Sequence, residues 1–420
     1  MNRTPKVCFA IVVLVLSAAV ARADVVTDWN VIALQTIGSL GSLMPTHARP
    51  GPSAILDIAT VHAAMHDAIQ AFQHRYESYA PPIPNATGSP IAAAATAAHD
   101  VLVARTLDQG PAFSAALDTL LHDYLDLLGL LGDPGALVGQ EAASRVLAMR
   151  GTIGTYPYPP DVFTGGTGPG EWRPTLPAFA SMAAPWLGNV EPFALKDPSQ
   201  LGESTPPFQL GSGQYAREFD EVKSLGRLDS PDRTPEQTAL ALFYSDNFLT
   251  LLQRTLRTFV GAKTLDVGDV ARTFALANIA AADAVINAWH EKKFWNFWRP
   301  ITAIQEAATD GNPRTDADPT WLPQIATPPY ADHTSGANNV TGAITRVLEL
   351  LFGDKNDFVV TSVIAGTTPI QYHRFSEMAD DVVDVRVYQG IHFRRADVVG
   401  RRQGKRSADW AVSHVLKPTN

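Results

Sequence analysis

Across residues 267–294 apolar side chains recur at the helical period, and residues 234–260 repeat the pattern. These are the longest periodic stretches in the chain, and they set the fold class. A chain built this way buries the apolar stripes of helices against one another. The same reading predicts helices over residues 52–72, where Ile55, Ile58, Ala59, Val61, Met65 and Ile69 fall at helical spacing, and over 90–107, 113–131, 134–149, 335–352 and 397–416. The 90–107 stretch is alanine-rich, as close helix packing prefers. Strand-like alternation between turn residues is nearly absent. The expected fold is therefore all-α, and a hydrophobic content of 45% is ample for a large core.

Residues 151–210 break the period. They are dense in proline and glycine, with TYPYPPDVFTGGTGPGEWRP at their centre. So long a stretch without helical period is either functional or a connector that wraps the surface. It separates residues 24–150 from 211–420. The expected architecture is two packed helical bundles, joined by this connector, rather than two independent domains. No short-period repeat is present.

The N-terminus reads as a signal peptide over residues 1–23. Arg3 and Lys6 precede a short apolar run from Val7 to Val20, and Ala21-Arg22-Ala23 offers a small-x-small cleavage site before Asp24. The run is too short for a comfortable membrane span, and no other stretch is long and apolar enough to be one. The expected location is periplasmic or extracellular. Cleavage would remove Cys8, the single cysteine, and leave a chain with no disulfide, no thiol nucleophile and no thiolate metal site. The formal net charge is −9, and the leader is basic, so the remaining chain is more acidic still. That balance argues against general nucleic-acid binding and requires any anion site to be a local basic cluster.

Three segments in the C-terminal half carry such a cluster. In Lys292-Lys293-Phe294-Trp295-Asn296-Phe297-Trp298-Arg299-Pro300, Lys292 and Arg299 lie two helical turns apart on one face. Pro300 disfavours helical geometry at Arg299, so the helix should end or kink there and free the guanidinium. In Tyr330-Ala331-Asp332-His333-Thr334-Ser335-Gly336-Ala337-Asn338 a helix is expected to begin near Ser335. Its first amides are unpaired and lie at the positive end of the helix dipole, Ser335 can donate its hydroxyl, and Gly336 lets a ligand approach the backbone. In Arg386-Val387-Tyr388-Gln389-Gly390-Ile391-His392-Phe393-Arg394, Arg386 supplies a planar fork of donors. His392 supplies an imidazole nitrogen that can attack phosphorus or ligate a metal oxyanion, Gly390 permits the turn, and Asp397 or Asp384 is expected to orient the other ring nitrogen.

Lys-x6-Arg-Pro, then Ser-Gly, then Arg-x3-Gly-x-His, in this order, resembles the vanadium-dependent haloperoxidases and their relatives, the type 2 phosphatidic acid phosphatases. NFWRPITAI, GEWRPT and GIHFR look like the bacterial haloperoxidase-like branch. The resemblance implies an all-helical fold with the site in a helix bundle. It implies that Lys292, Arg299, Ser335, the Gly336 amide and Arg386 hold the oxygens of vanadate or phosphate, and that His392 is the axial vanadium ligand or, in a phosphatase, the nucleophile. The implied cofactor is vanadate, and the implied partners are hydrogen peroxide and a halide, or a phosphate ester. The family's second motif reads Pro-Ser-Gly-His, whereas this chain reads Thr334-Ser335-Gly336-Ala337. The absent histidine is the family's acid–base residue, whose loss costs about a hundred- to ten-thousand-fold in rate. His333 lies four residues earlier and is the candidate substitute. A third reading is a non-catalytic oxyanion-binding protein.

Other features admit plainer readings. His62 and His66 are four apart beside Asp67, a spacing that suits a metal, but the glutamate of the zinc-protease pattern is absent and satisfied core histidines are the default. Arg394, Arg395, Arg401, Arg402, Lys405 and Arg406 read as a solvated helix face. The aromatics of KKFWNFWRP serve equally as bundle core or pocket wall.

Overall fold

A computed structural model of the chain describes residues 24–43, 49, 51–150, 161–202 and 205–419. The predicted leader, and residues 151–160 and 203–204 of the predicted connector, lie outside the described residues. The N-terminal half contains α1 (Val25–Leu43), α2 (Ala54–Gln73), α3 (Pro90–Arg105), α4 (Pro111–Leu127) and α5 (Gly135–Arg150). The C-terminal half contains α6 (Gly213–Leu225), α7 (Pro235–Phe243), α8 (Phe248–Gly261), α9 (Val267–Trp295), α10 (Pro300–Gln305), α11 (Gly336–Phe352), α12 (Phe375–Tyr388) and α13 (Arg394–His414). Among the described residues the fold is all-α apart from one antiparallel hairpin, β1 (Lys355–Val360) and β2 (Ile370–Arg374).

The helices obey their local signals. Asp266 caps α9 by accepting from the amides of Gly268 and Asp269 at 2.8 and 3.2 Å, and the helix closes at Asn296 in the left-handed region. The predicted 234–260 helix is divided. Thr234 and Gln237 form a reciprocal capping box on α7, the chain turns, and the Asn247 side chain starts α8 by accepting from the Thr250 amide at 3.2 Å. Apolar residues continue on both sides of the break, with Ala241 and Phe243 of α7 and Leu251, Leu252, Leu256 and Phe259 of α8 all buried. Four helices were not anticipated: α1, α6, α10 and α12. Neither was the hairpin, which sets Phe358 opposite Tyr372 and packs on Phe259 and Phe375.

α9 is buried on nearly every side from Gly268 to Lys292, as a helix apolar all round must be. It packs against α2 of the first half and against α11 and α13 of the second, so one hydrophobic core runs through both. A smaller cluster around Phe219, Trp298, Trp321 and Phe393 backs the end of α9. The connector is pinned to α9 and the turn that follows it. The Trp172 amide donates to the Asn296 carbonyl at 2.8 Å, and the Trp298 amide to the Gly170 carbonyl at 2.9 Å. Asp283, inside α9, accepts from the amides of Phe193, Ala194 and Leu195 at 2.5 to 2.9 Å. Among the described residues no helix is long and apolar enough to cross a membrane.

Candidate oxyanion site

The end of α9, the start of α11 and the turn between α12 and α13 meet at one buried place. Arg299 is the N-cap of α10, in extended backbone with Pro300 at the first helical position, so its side chain leaves the helix line as the proline requires. The guanidinium is fully buried. Nε donates to the Tyr330 carbonyl at 2.6 Å, Nη1 donates to the Ile391 carbonyl at 2.6 Å, and Nη1 stands 3.1 Å from Nε2 of His392. Nη2 has no partner. Lys292, in the last turn of α9, donates to the carbonyls of Ala331 and Asp332 at 2.7 and 3.0 Å, and its ammonium lies 5.0 Å from the centre of the Tyr330 ring. Arg386, in the last turn of α12, donates from Nη1 to Gln389 at 2.6 Å, rests 5.0 Å from the Phe248 ring, and leaves Nε without a partner.

His392 follows a turn that depends on Gly390. That residue has φ 75°, and a Cβ there would stand 2.3 Å from the Gly226 carbonyl oxygen. The imidazole Nδ1 is 2.8 Å from Oδ1 of Asp332. This corrects the expectation that Asp397 or Asp384 orients the ring. Asp397 accepts from Asn338 Nδ2 at 2.9 Å, and Asp384 accepts from Arg394 at 2.5 Å, because the first turn of α13 faces α11 and Asp384 lies toward the outside of α12. With Asp332 accepting at Nδ1, that nitrogen carries the proton and the Nε2 lone pair is left toward Arg299. The role of Asp332 is not evident from the sequence, which places it three residues before the predicted helix start at Ser335. The available signal was a carboxylate beside the predicted helix start.

α11 begins at Gly336 with Ser335 in extended backbone and no side-chain cap, so the Gly336 and Ala337 amides have no intrahelical partner. The Ser335 hydroxyl lies between Asp397 and Asn338. A Cβ on Gly336 would come within 2.9 Å of the Trp289 ring. Ala337 is half-buried and lines, with Gly336, Trp289, Tyr330 and Arg386, a cavity of about 200 Å³. His333 is buried but faces the connector. Its Nε2 is 2.9 Å from the Thr205 carbonyl, and its ring stands edge-on to Trp295.

The charges are out of balance. Burial, and then Arg299, pull the Lys292 ammonium well below its ordinary value. Burial lowers Arg299, and lowers Arg386 to about 10. Burial together with repulsion from Arg299, Lys292 and Arg386 pulls His392 well below the usual imidazole range, which keeps it neutral. Burial raises Asp332 to about 7 against the pull of Arg299 and Lys292, and raises Asp397 well above the carboxylate range. Three buried cations with weakly ionised acids, orphaned guanidinium donors and open helix-start amides fit a small multivalent oxyanion, whose charge and acceptors would satisfy them.

The other charged and histidine clusters are committed elsewhere. His62 contacts Asn30 at 2.8 Å, and His66 contacts the Glu77 carbonyl at 3.1 Å, both inside the core. Among the described residues no cluster of three or more histidine, cysteine or acidic side chains could hold a metal ion. Along α13, Arg394 pairs with Glu221 and Asp384, Arg401 with Asp380 and Lys405 with Glu349, so much of the expected solvated face is paired with neighbouring acids.

Residues 272–420 match the family model described as the VCPO second helical-bundle domain. The chain is 26% identical over 216 residues to the vanadium chloroperoxidase of Curvularia inaequalis, covering 43% of this chain and 34% of that protein; it spans about a third of the length of that relative. Among solved structures, a bacterial vanadium-dependent iodoperoxidase superposes with a TM-score of 0.75 at 23% identity, over 93% of this chain and 97% of that one. A bacterial vanadium-dependent chloroperoxidase in its apo form superposes with a TM-score of 0.66 at 18% identity, over 86% and 93% of the two chains. At these identities the structural neighbours establish a shared fold.

Proposed function

We propose that this chain, which belongs to the vanadium haloperoxidase-like superfamily, holds vanadate in the buried pocket at the start of α11 and oxidises a halide with hydrogen peroxide. The observation that carries the reading is the convergence of Lys292, Arg299, Arg386 and the oriented His392 at one buried place where Arg299 Nη2 and Arg386 Nε lack partners. Lys292, Arg299, Arg386, Ser335 and the Gly336 amide would hold the oxygens, and His392 Nε2 would ligate the metal. Bound vanadate supplies the activation of peroxide toward halide. The residues do the rest. The cations neutralise the anion, Asp332 fixes the His392 tautomer, and the aromatic walls exclude water and so strengthen each charge interaction.

Ala337 leaves the proton-handling position beside the pocket without an ionisable group, and His333 has its Nε2 at the Thr205 carbonyl. Turnover is therefore expected to be low. A second reading is an acid phosphatase, favoured by the same neutral His392, whose unprotonated Nε2 beside Arg299 suits attack on phosphorus as well as metal ligation. Residues 1–23 would direct export on either reading.

One purified sample measured three ways tests the proposal: vanadate binding, halide-dependent consumption of peroxide, and phosphate-ester hydrolysis. Vanadate binding with halide oxidation, both lost in His392→Ala, supports it. Ester hydrolysis without halide oxidation selects the phosphatase, and binding without either activity selects an oxyanion-binding protein.

A further inference from the structure

The backbone of His333 lies between two residues of the oxyanion site, Asp332 and Ser335, yet its ring is held by the connector. A carbonyl only accepts, so the Nε2 that stands 2.9 Å from the Thr205 carbonyl carries the ring proton and commits it there. Residues 205–208 read Thr-Pro-Pro-Phe. Pro206 and Pro207 have no amide proton to give, so this stretch depends on what reaches its carbonyls and its one large side chain. Arg395 of α13 reaches both. Its Nε donates to the Pro206 carbonyl at 2.5 Å, and its guanidinium lies 4.1 Å over the Phe208 ring. Phe208 in turn packs on the aromatic cluster that contains Tyr215 and Phe219. Arg395 is itself fixed by α6, where the Glu218 side chain accepts from its amide at 3.1 Å. Arg394, Arg401 and Lys405 on the same helix pair with acids, whereas the Arg395 side chain goes to the connector.

We propose that residues 205–208 form a strap that keeps His333 out of use, and that Arg395 is the clamp that holds the strap closed. When Arg395 releases Pro206 and Phe208, the Thr205 carbonyl loses its backing one residue away. The imidazole then regains its Nε2 proton and its freedom to change rotamer. Because the His333 backbone already lies between Asp332 and Ser335, a change of side-chain torsion brings the ring toward the anion, where Ala337 supplies no ionisable group. That use of the freed ring rests on the oxyanion reading; the strap itself does not.

The test is the reactivity of His333 toward diethyl pyrocarbonate in the whole protein, read by peptide mass spectrometry, with the core residues His62 and His66 as folding controls. In Arg395→Ala the His333 rate should rise about tenfold or more with the controls unchanged, since the reagent meets the ring only when the strap is open. Arg395→Lys, which keeps a cation for Phe208 and a donor for Pro206, should restore the slow rate. Phe208→Ala opens the clamp from the strap side if Arg395→Ala misfolds. An unchanged His333 rate in Arg395→Ala and Phe208→Ala, or equal acceleration at His62 and His66, overturns the strap. Halide oxidation or ester hydrolysis should rise in Arg395→Ala, and the gain should vanish when His333→Ala is added. A fast His333 in a protein that binds phosphate but shows no such gain overturns its use as the acid–base group. A fast His333 in a protein that binds no phosphate removes the oxyanion reading and upholds the strap.

Discussion

Oδ1 of Asp332 lies 2.8 Å from Nδ1 of His392, and the Asp332 main-chain carbonyl accepts from the Lys292 ammonium at 3.0 Å. One residue thus ties the end of α9 to the turn before α13, and orients the imidazole through its side chain while anchoring the cation through its backbone. Removing such an outer partner typically costs 10- to 100-fold in affinity or activity. Asp332→Ala should weaken vanadate binding by about that factor with an unchanged circular dichroism spectrum, and Asp332→Asn should fall between the two. Unaltered binding in Asp332→Ala would mean that the ring is held by packing alone.

Arg386→Ala should weaken phosphate and vanadate together. A charge-assisted contact is worth about 1.5–3 kcal/mol, so each dissociation constant should rise about 10- to 150-fold. Competition calorimetry measures both, and a loss for one anion only would show that they occupy different places.

Ala337→His should raise turnover by about tenfold or more, in whichever chemistry the protein performs. Ala337 lines the cavity beside Gly336 and Arg386, so a histidine there reaches the pocket that His333, turned toward Thr205, does not. Steady-state assays of halide oxidation and ester hydrolysis on the folded variant check this. His333→Ala in the otherwise native chain shows whether that residue already serves as the acid–base group.

Acid should destabilise the protein through His62 and His66. Burial, followed by Arg257, pushes His62 down to about 3, and burial pushes His66 down to about 4. Both are depressed below the unfolded value near 6.5, so the fold requires them neutral. Their stabilisation is complete above about pH 6.5 and is lost as pH falls toward 4 and 3. Each contributes a slope of about 1.4 kcal/mol per pH unit in that window. Urea denaturation between pH 7.5 and 4.5 should show a shallower slope for His62→Gln, which keeps an acceptor for Asn30; parallel curves would refute this.

Gly390→Ala should cost about 2 kcal/mol or more, since φ 75° disfavours any side chain and the added methyl meets the Gly226 carbonyl at 2.3 Å. Thermal denaturation reads the loss. Because the same turn carries His392, vanadate affinity should fall with it.

Periodicity and punctuation alone determined the helical class, the break at Pro300 and the helix start at Ser335, since each depends on neighbours a few residues apart; the grouping of Lys292 and Arg299 with Arg386 and His392, far apart in the chain, was implied only by the resemblance of three motifs in order. The division of the 234–260 stretch was legible only at Asn247, the cap of α8, because apolar residues continue on both sides of the break. The signal for α12 was present, since Phe375, Met378, Ala379, Val382 and Val383 fall at helical spacing on its buried side, whereas the hairpin buries only Phe358 and Val360 on β1 and Tyr372 on β2. What orients His392 was decided by tertiary structure. Asp397 and Asp384 are nearer in sequence, but helix geometry turns Asp397 toward Asn338 and Asp384 toward Arg394, and brings Asp332 in from another segment. The cavity wall from Ile55 was equally invisible, because a contact between residues of the two halves exists only once α2 has packed on α9, and nothing local in either segment encodes that distance.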